Sequence, residues 1–545
     1  MATNKPQSRS RAIRPSAECL EGRRLLSGTV SGMNTAGDQW TLTVLGKGKV
    51  QVIKQNDSTG NPAALNSATE IRSIILSGTD PTSTRLVETV KPAAGSPGRI
   101  YFQNLTEQPN RSDRTGNNLG VLAINIPDFY LANTSAAPPN ANTTPPASPT
   151  TPAASITIPD GIESLRFGGA DTTVSFATGS GVALSQNNNS DQFLIRLGVP
   201  IANGTDIIVN TITSNGQAAA ASTTTPNSPT QDSVVFQVSG RLNLFQANSI
   251  NGNTAVAPTA AGFTGGTIVA SLPDPTSGLT GQIGFIRVGG NATNFSVLTN
   301  SQIANFYVGG ETNNVSVLAP TSIRNLYFGR GLDSTTILTH QIEDIQANRG
   351  MLNSRIVTER LIGNSTFGGD VVNSTVLAGY LEGLAGVIST IETNETQLGQ
   401  FFQQAVTLPT PTAQAGGLIT TNIAGDVTNS VIAASDNPIS QVNSPTTQTF
   451  GNPQDAFLPI GRILARVEGS IDNSTVTPMM PSTAFYAKNV NLTRGPVAPP
   501  NVTEPPLPRP ATPVTLRGIP RVFPNINGKL ETQPPGNQIS NKYPA

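Results

Sequence analysis

Between residues 283 and 379 the apolar positions follow one recurring phrase, apolar-x-x-apolar-x-apolar, usually closed by glycine. It reads Ile283, Ile286, Val288, Gly289, Gly290, then Ile303, Phe306, Val308, Gly309, Gly310. A third copy is Ile323, Leu326, Phe328, Gly329, and a degraded fourth is Ile342, Ile345, Ala347. A second, β-branched phrase follows each copy, centred on Val297, Val317, Ile337, Ile356 and Val376, at spacings of 20, 20, 19 and 20 residues. A unit this short cannot bury its apolar side alone, and stacking copies buries one continuous column. The period therefore predicts an all-β parallel β-solenoid, or β-helix, of ~20-residue coils, with Val308 between Val288 and Phe328. A leucine-rich repeat is the rival, but here the second half of the unit is β-branched and no Asn follows the strand at a fixed step.

Related phrases occur at Ile71, Ile74, Leu76, Gly78 and at Ile162, Leu165, Phe167, Gly168, Gly169. A Gly-x-[Val/Ile]-x-Asn-Ser core recurs at 369–374, 425–430 and 469–474. The expected organisation is a basic segment over 1–28, a β region over 29–133 with a hairpin at 38–53, and a Pro/Ser/Thr-rich linker over 134–154. The solenoid follows over 155–490, with insertions at 214–232 and 394–415, and a disordered Pro-rich tail over 491–545. Gly-Gly pairs are expected at corners needing positive φ, and asparagines such as Asn294, Asn314 and Asn373 suit left-handed corners. One helix is predicted, with Asn394 and Gln397 as a capping box and Leu398, Phe401, Phe402 and Ala405 on one face. Its apolar stripe is expected to pack against the side or end of the stack.

Charge narrows the partners. The chain has 33 basic and 33 acidic residues in 545, so no dominant nucleic-acid footprint is expected. Six basic and two acidic residues fall in 1–28, leaving 27 basic and 31 acidic in the rest. The apolar run Val376–Ile388 is broken by Glu382, so no transmembrane helix is expected. Cys19 is the single cysteine and His340 the single histidine, which removes disulfides, multi-histidine sites and thiolate metal sites. No cofactor, metal or catalytic residue is predicted.

The segment Leu20, Glu21, Arg23, Leu25, Leu26, Ser27 resembles the LEPR-XLL motif of large exported or surface proteins of planctomycete-type bacteria, departing from it at Gly22 where that family has proline. The resemblance implies an address, extracellular or in the cell envelope, and no activity.

Two functional expectations follow. One is an exported structural or adhesive cell-surface solenoid without catalysis, touching envelope polysaccharide or other surface proteins, its oligomeric state open. The other is a carbohydrate-active β-helix enzyme, a lyase or hydrolase, with Glu311, Arg330 and Asp333 as its site; against it, no Asp-Asp pair or pectin-hydrolase phrase occurs. An outward column of Arg287, Tyr307, Tyr327 and Gln346 offers either a binding surface for a sugar or a partner strand, or a stack that stabilises the sheet.

Overall fold

The computed structural model describes residues 28–54, 70–108, 120–133, 154–176, 182–183, 192–198, 204–214, 233–252, 267–272, 280–379, 418–434, 462–472, 474–477, 485–491, 521–524 and 530–533. Every regular element among them is a β-strand. From residue 154 to 491 the pairings are parallel, save one short antiparallel pair at 182–183. One ladder, called here the tyrosine ladder, runs through Ile283–Val288, Gln302–Val308, Ser322–Phe328 and the second half of Thr336–Ala347. A second, the leucine ladder, runs through Thr267–Leu272, Ala292–Thr299, Thr312–Ala319 and the first half of Thr336–Ala347. Val308 stands between Val288 and Phe328, and Val317 between Val297 and Ile337.

The expected solenoid of discrete ~20-residue coils is corrected by the way these ladders join. Seven strands close a ring of parallel pairings: Leu242–Gly252, Ile283–Val288, Gln302–Val308, Ser322–Phe328, Thr336–Ala347, Thr312–Ala319 and Ala292–Thr299, which returns to the first. Length closes it. Leu242–Gly252 pairs with one ladder through Leu242–Ala247 and with the other through Ile250–Asn251, and Thr336–Ala347 does the same at the opposite end. The 20-residue period survives as the step between paired strands; the separate, uniform coils read from it do not. The result is a closed, barrel-like ring with parallel ladders flanking it on both sides. Inside lies one apolar core, with Phe245, Phe295, Phe306 and Phe328 following one another at ring-centroid distances of 6.1, 6.3 and 5.8 Å.

The N-terminal region departs further. Gln39–Leu45 and Lys49–Lys54 are strands, but the predicted hairpin between them is absent. Gln39–Leu45 pairs antiparallel with Thr29–Met33 and Arg85–Lys91, while Lys49–Lys54 pairs with Ile71–Ser77. The intervening turn is held away from a tight hairpin. Lys47 Nζ meets Asp80 Oδ2 at 2.8 Å, Thr84 Oγ1 donates to the Lys47 carbonyl at 2.6 Å, and a Cβ on Gly46 would strike Ser83. These antiparallel strands lead into the parallel ladders at Ile71–Ser77, which pairs parallel with Ile100–Gln108.

Corner chemistry follows expectation for the asparagines but not for the glycine pairs. Gly289, Gly290, Gly309, Gly310 and Gly329 do not take positive φ. They are glycine because the backbones stack closely: a Cβ on Gly309 would meet the Gly289 carbonyl, and one on Gly329 the Gly309 carbonyl. Positive φ falls on Asn294, Asn314 and Asn373, as expected of them, and also on Ser334, Asn353 and Asn429, between 48° and 55°. The short polar side chain makes this conformation accessible. The Asn-Ser pair in the later repeats has a second use. Ser354, Ser374, Ser430 and Ser474 form a buried ladder in which each backbone N–H from Ser354 to Ser430 donates to the next serine hydroxyl, at 3.0–3.1 Å.

Two further expectations change. Within the tail read as disordered, Arg521–Pro524 and Leu530–Gln533 pair antiparallel. The helix expected around Asn394–Ala405, with the insertion 394–415 that holds it, lies outside the described residues, as do residues 215–232 and the linker up to residue 153.

Candidate functional site

The outward side of the tyrosine ladder carries the residues singled out from the sequence. Alternation along each strand sends Ile286, Phe306 and Leu326 into the core and Arg287, Tyr307 and Tyr327 out. Register then lines up Gln246, Arg287, Tyr307, Tyr327, Gln346 and Thr366 across successive strands. The two tyrosine rings stack face to face at 4.8 Å with 2° between their planes. Asn348 Nδ2 donates to the Tyr327 hydroxyl at 3.0 Å, and Gln346 Nε2 donates to Asn348 Oδ1 at 3.1 Å. Arg287 is exposed at the other end of the column.

A second outward column, absent from the sequence reading, runs beside the first. Phe285, Asn305, Asn325, Asp344 and Asn364 occupy it. Asn325 Nδ2 donates to Asn305 Oδ1 at 2.8 Å, and Asn305 Nδ2 to the Gly284 carbonyl at 3.4 Å. The signal was available, since Asn305 and Asn325 are separated by the same 20 residues as the apolar phrase. Together the columns make a strip of phenol, amide, guanidinium and carboxylate groups repeating at the strand spacing. Such a strip can offer donors and acceptors to a hydroxyl-bearing polymer laid along it.

The acids proposed for catalysis do not converge. Glu311 Oε1 receives Arg330 Nη1 at 2.8 Å with both side chains more than half exposed, and Asp333 Oδ1 accepts from the Ser334 hydroxyl at 3.0 Å. Glu343 lies 3.5 Å from Arg324. His340 Nδ1 is paired with Glu359 Oε2 at a corner of the ring. Among the described residues no group of three or more His, Cys, Asp or Glu is placed to hold a metal ion, and no helix is long and apolar enough to cross a membrane.

The strongly perturbed carboxylates lie elsewhere, in the N-terminal region. Burial pushes Glu88 up to about 8, opposed by the Asp128 N–H that donates to its Oε1 at 2.6 Å. Burial likewise raises Glu107 to about 7, with the Thr79 hydroxyl donating to its Oε1 at 2.5 Å. Glu70 is raised by burial while accepting from the Thr35 backbone and hydroxyl at 3.2 and 2.6 Å. Lys54, buried with Nζ donating to the Met33 carbonyl at 2.9 Å, falls to about 8. Glu88, Glu107 and Lys54 sit on different strands and Glu70 just before one, and their partners lie in strands (Asp128, Met33) and turns (Thr79, Thr35) 21–40 residues away along the chain.

No family model matches the chain, and no curated protein or solved structure matches it either. The resemblance of Leu20, Glu21, Arg23, Leu25, Leu26 and Ser27 to the LEPR-XLL motif is corrected accordingly. No family match supports it, and those residues lie outside the described ones. Both functional expectations built on the solenoid are corrected with it. The closed ring and flanking ladders replace the stacked-coil scaffold, and the carboxylates of the alternative β-helix enzyme are spent on separate surface pairs.

Proposed function

We propose that this chain is a non-catalytic binding protein whose tyrosine ladder receives an envelope polysaccharide, outside the cytoplasm. One observation carries the reading: the parallel Tyr307–Tyr327 ring stack at 4.8 Å, set on the outward side of the ladder with Asn305, Asn325, Gln346 and Asn348. Hydroxyls along a polymer can exchange hydrogen bonds with such amides and phenols, and Arg287 adds a fork suited to a carboxylate. Cys19 as the single cysteine and 12% charged residues are compatible with an exported chain.

Affinity electrophoresis through gels holding neutral or uronate-containing polysaccharides tests the reading. The intact protein is expected to be retarded by at least one, and the double variant Tyr307→Ala/Tyr327→Ala to lose at least about tenfold in affinity, as removal of a central aromatic pair does at other interfaces. Unchanged retardation of a variant that keeps its β circular dichroism would refute it. Release of reducing or unsaturated sugar ends by the purified protein would overturn the non-catalytic part.

A further inference from the structure

The column that carries the tyrosines extends beyond the ring. Gln246 pairs back to Ile208 and Ile208 to Arg166, so the outward row reads Arg166, Ile208, Gln246, Arg287, Tyr307, Tyr327. Charge is not spread evenly along it. In the neighbouring column Asp206 and Asp344 stand at two ends, with Leu244, Phe285, Asn305 and Asn325 between them. That is a window of five strand steps, about 24 Å at the usual strand spacing. Each end is acidic. Burial and the nearby Glu163 hold the Asp206 carboxyl above its ordinary range, and the exposed Asp344 follows a Glu343 already paired with Arg324. Arg166, just past the first end, acts on the buried Glu88. Inside the window Arg287 is the single charged residue of the two columns, and it is exposed. The nearest carboxylates of these columns stand two strand steps away on one side and three on the other. The row is also open along its corner: a Cβ on Gly309 would come within 3.2 Å of the Tyr307 hydroxyl oxygen, so glycine leaves that phenol accessible.

We propose that the polysaccharide seated on this row is anionic and sparsely charged: it runs across the strands, sets one acid group on Arg287, and lays neutral sugars over Tyr307, Tyr327, Asn305 and Asn325. This rests on the binding function proposed above and narrows its ligand. The direction follows from the row itself, because its chemistry repeats from strand to strand and not along any one strand. The guanidinium of Arg287 presents a planar fork that matches a carboxylate. The phenols and amides beyond it give and accept hydrogen bonds of the kind that hydroxyls make. The bracketing acids set the spacing. A polymer acidic at every sugar brings further carboxylates against Asp206 and Asp344, and like charges placed together discriminate against it. A neutral polymer leaves Arg287 without a partner and gains nothing from it. A chain whose acid groups are separated by neutral sugars meets the cation and avoids both acids.

Retardation of the full chain in native gels tests the proposal with three probes. Gellan carries single uronates separated by neutral sugars, polygalacturonate is acidic at every sugar, and hydroxyethylcellulose is neutral. At low salt the parent is expected to bind gellan at least about threefold more tightly than either of the others. Arg287→Gln should weaken gellan binding by about three- to tenfold, the size of one charge-assisted contact at an exposed site, and leave hydroxyethylcellulose binding unchanged. Asp344→Asn should strengthen polygalacturonate binding by about threefold, and the gain should shrink with added salt, which screens exposed charges. Both positions are exposed, and the β circular dichroism of each variant is compared with the parent's. Equal binding of gellan and hydroxyethylcellulose, with no effect of Arg287→Gln, overturns the proposal and leaves the wider binding function standing. Preference for polygalacturonate, with no effect of Asp344→Asn, overturns the sparse spacing in the same way. Retardation by none of the three removes the proposal together with the reading it rests on.

Discussion

The repeats at 283–379 and the strands at 29–133 solve the same problem in opposite ways. Both must bury apolar side chains from strands, and both bring polar groups along. In the repeats, several buried or half-buried polar groups meet a counterpart one step away: Asn314 with Asn294 at 2.6 Å, Asn325 with Asn305, and the Ser354 backbone with Ser374, while Ser316 Oγ, Thr375 Oγ1 and Arg355 Nε stay without one. Most charges there form exposed pairs, as in Arg330–Glu311 and Arg324–Glu343, with Arg355 the buried exception. The N-terminal strands have no such period, so a polar side chain finds whichever partner packs against it from a distant strand or turn. Lys54, Glu70 and Glu107 end up buried, and the Oε2 atoms of Glu70, Glu88 and Glu107 have no hydrogen-bond partner. Repetition supplies many polar groups with a partner one step away; irregular antiparallel packing leaves carboxylates that are easier to bury protonated.

The largest effect that could break this comparison comes from the core, which the two regions share. Phe306 is buried between Phe295 and Phe328, at 6.3 and 5.8 Å. Phe306→Ala is expected to destabilise the central ladders by about 3–5 kcal/mol through lost burial and the cavity left behind. In an array stabilised by neighbour contacts, that loss should be felt most in adjacent strands. Hydrogen exchange should therefore show faster opening over 283–347, while the fluorescence of Trp40, the single tryptophan, shifts less with denaturant. Equal shifts in both signals would mean that the two regions unfold as one unit.

pH should separate the regions next. Glu88 and Glu107 have folded values near 8 and 7, above an ordinary glutamate at 4.5, because burial favours their neutral forms. A raised carboxylate contributes stability that is fully present below the unfolded value and is lost as pH rises through the folded one. The N-terminal strands should therefore weaken from about pH 5 to pH 8, together by on the order of 2 kcal/mol or more. Each tenfold change in proton affinity is worth ~1.4 kcal/mol, and the partial exposure of Glu88 discounts its share. Lys54, lowered to about 8, acts in the opposite sense: its neutral form gains weight only as pH climbs past that value, so the window below pH 8 belongs to the glutamates. Trp40 lies 6.0 Å from Lys54 Nζ and should report the change. Glu88→Gln with Glu107→Gln should flatten the profile, and hydrogen exchange in the central repeats should be nearly indifferent to the same pH range.

The left-handed corners sharpen the contrast from the other side. Asn314 has φ of 55° and donates to Asn294. Asn314→Ala is expected to lose about 1–2 kcal/mol from backbone strain alone, since alanine disfavours that conformation. Asn314→Gly should lose less, because only the amide ladder is interrupted. Paired thermal melts of the two variants check the order. If alanine and glycine behave alike, the ladder rather than the backbone sets the preference.

That corner also explains how much of the molecule was legible in the sequence. Ile250 pairs with Ala292, Asn251 with Thr293, and Thr267 with Phe295, so residues 252–266 stand where Asn294 alone stands one step on. Where one asparagine turns the corner the period is exact, and the register of Val288, Val308 and Phe328 follows from counting. Where insertions replace it, counting fails, and the long strands that close the ring could not be inferred. Strand lengths through a corner depend on packing that no periodicity encodes. The hairpin at 38–53 misled for a related reason: alternation identified both strands, while their partners were chosen by the distant contacts of Lys47 and Gly46 with Asp80 and Ser83. Of the candidate site, Arg287, Tyr307 and Tyr327 were readable because outward residues share the period. The amide column of Asn305 and Asn325 shared it too, but in a chain rich in asparagine at its turns such residues do not stand out as a strand face.

The smallest expected effect decides what the tyrosine stack is for. Two parallel rings at 4.8 Å on a strand face could serve the ladder itself, and aromatic pairs of this kind contribute about 0.5–1.5 kcal/mol beyond the area they bury. Tyr307→Leu keeps an apolar side chain on the sheet but removes the ring and its hydroxyl. If the stack serves stability alone, this variant should lose stability within that range and leave polysaccharide retardation unchanged. If it serves binding, retardation should fall much further than a stability change of that size could account for in a protein that remains folded. Tyr307→Phe divides the remaining question, because it preserves the ring and deletes only the hydroxyl. Full binding by this variant would assign recognition to the ring, and lost binding at unchanged stability would assign it to the row of phenol and amide groups.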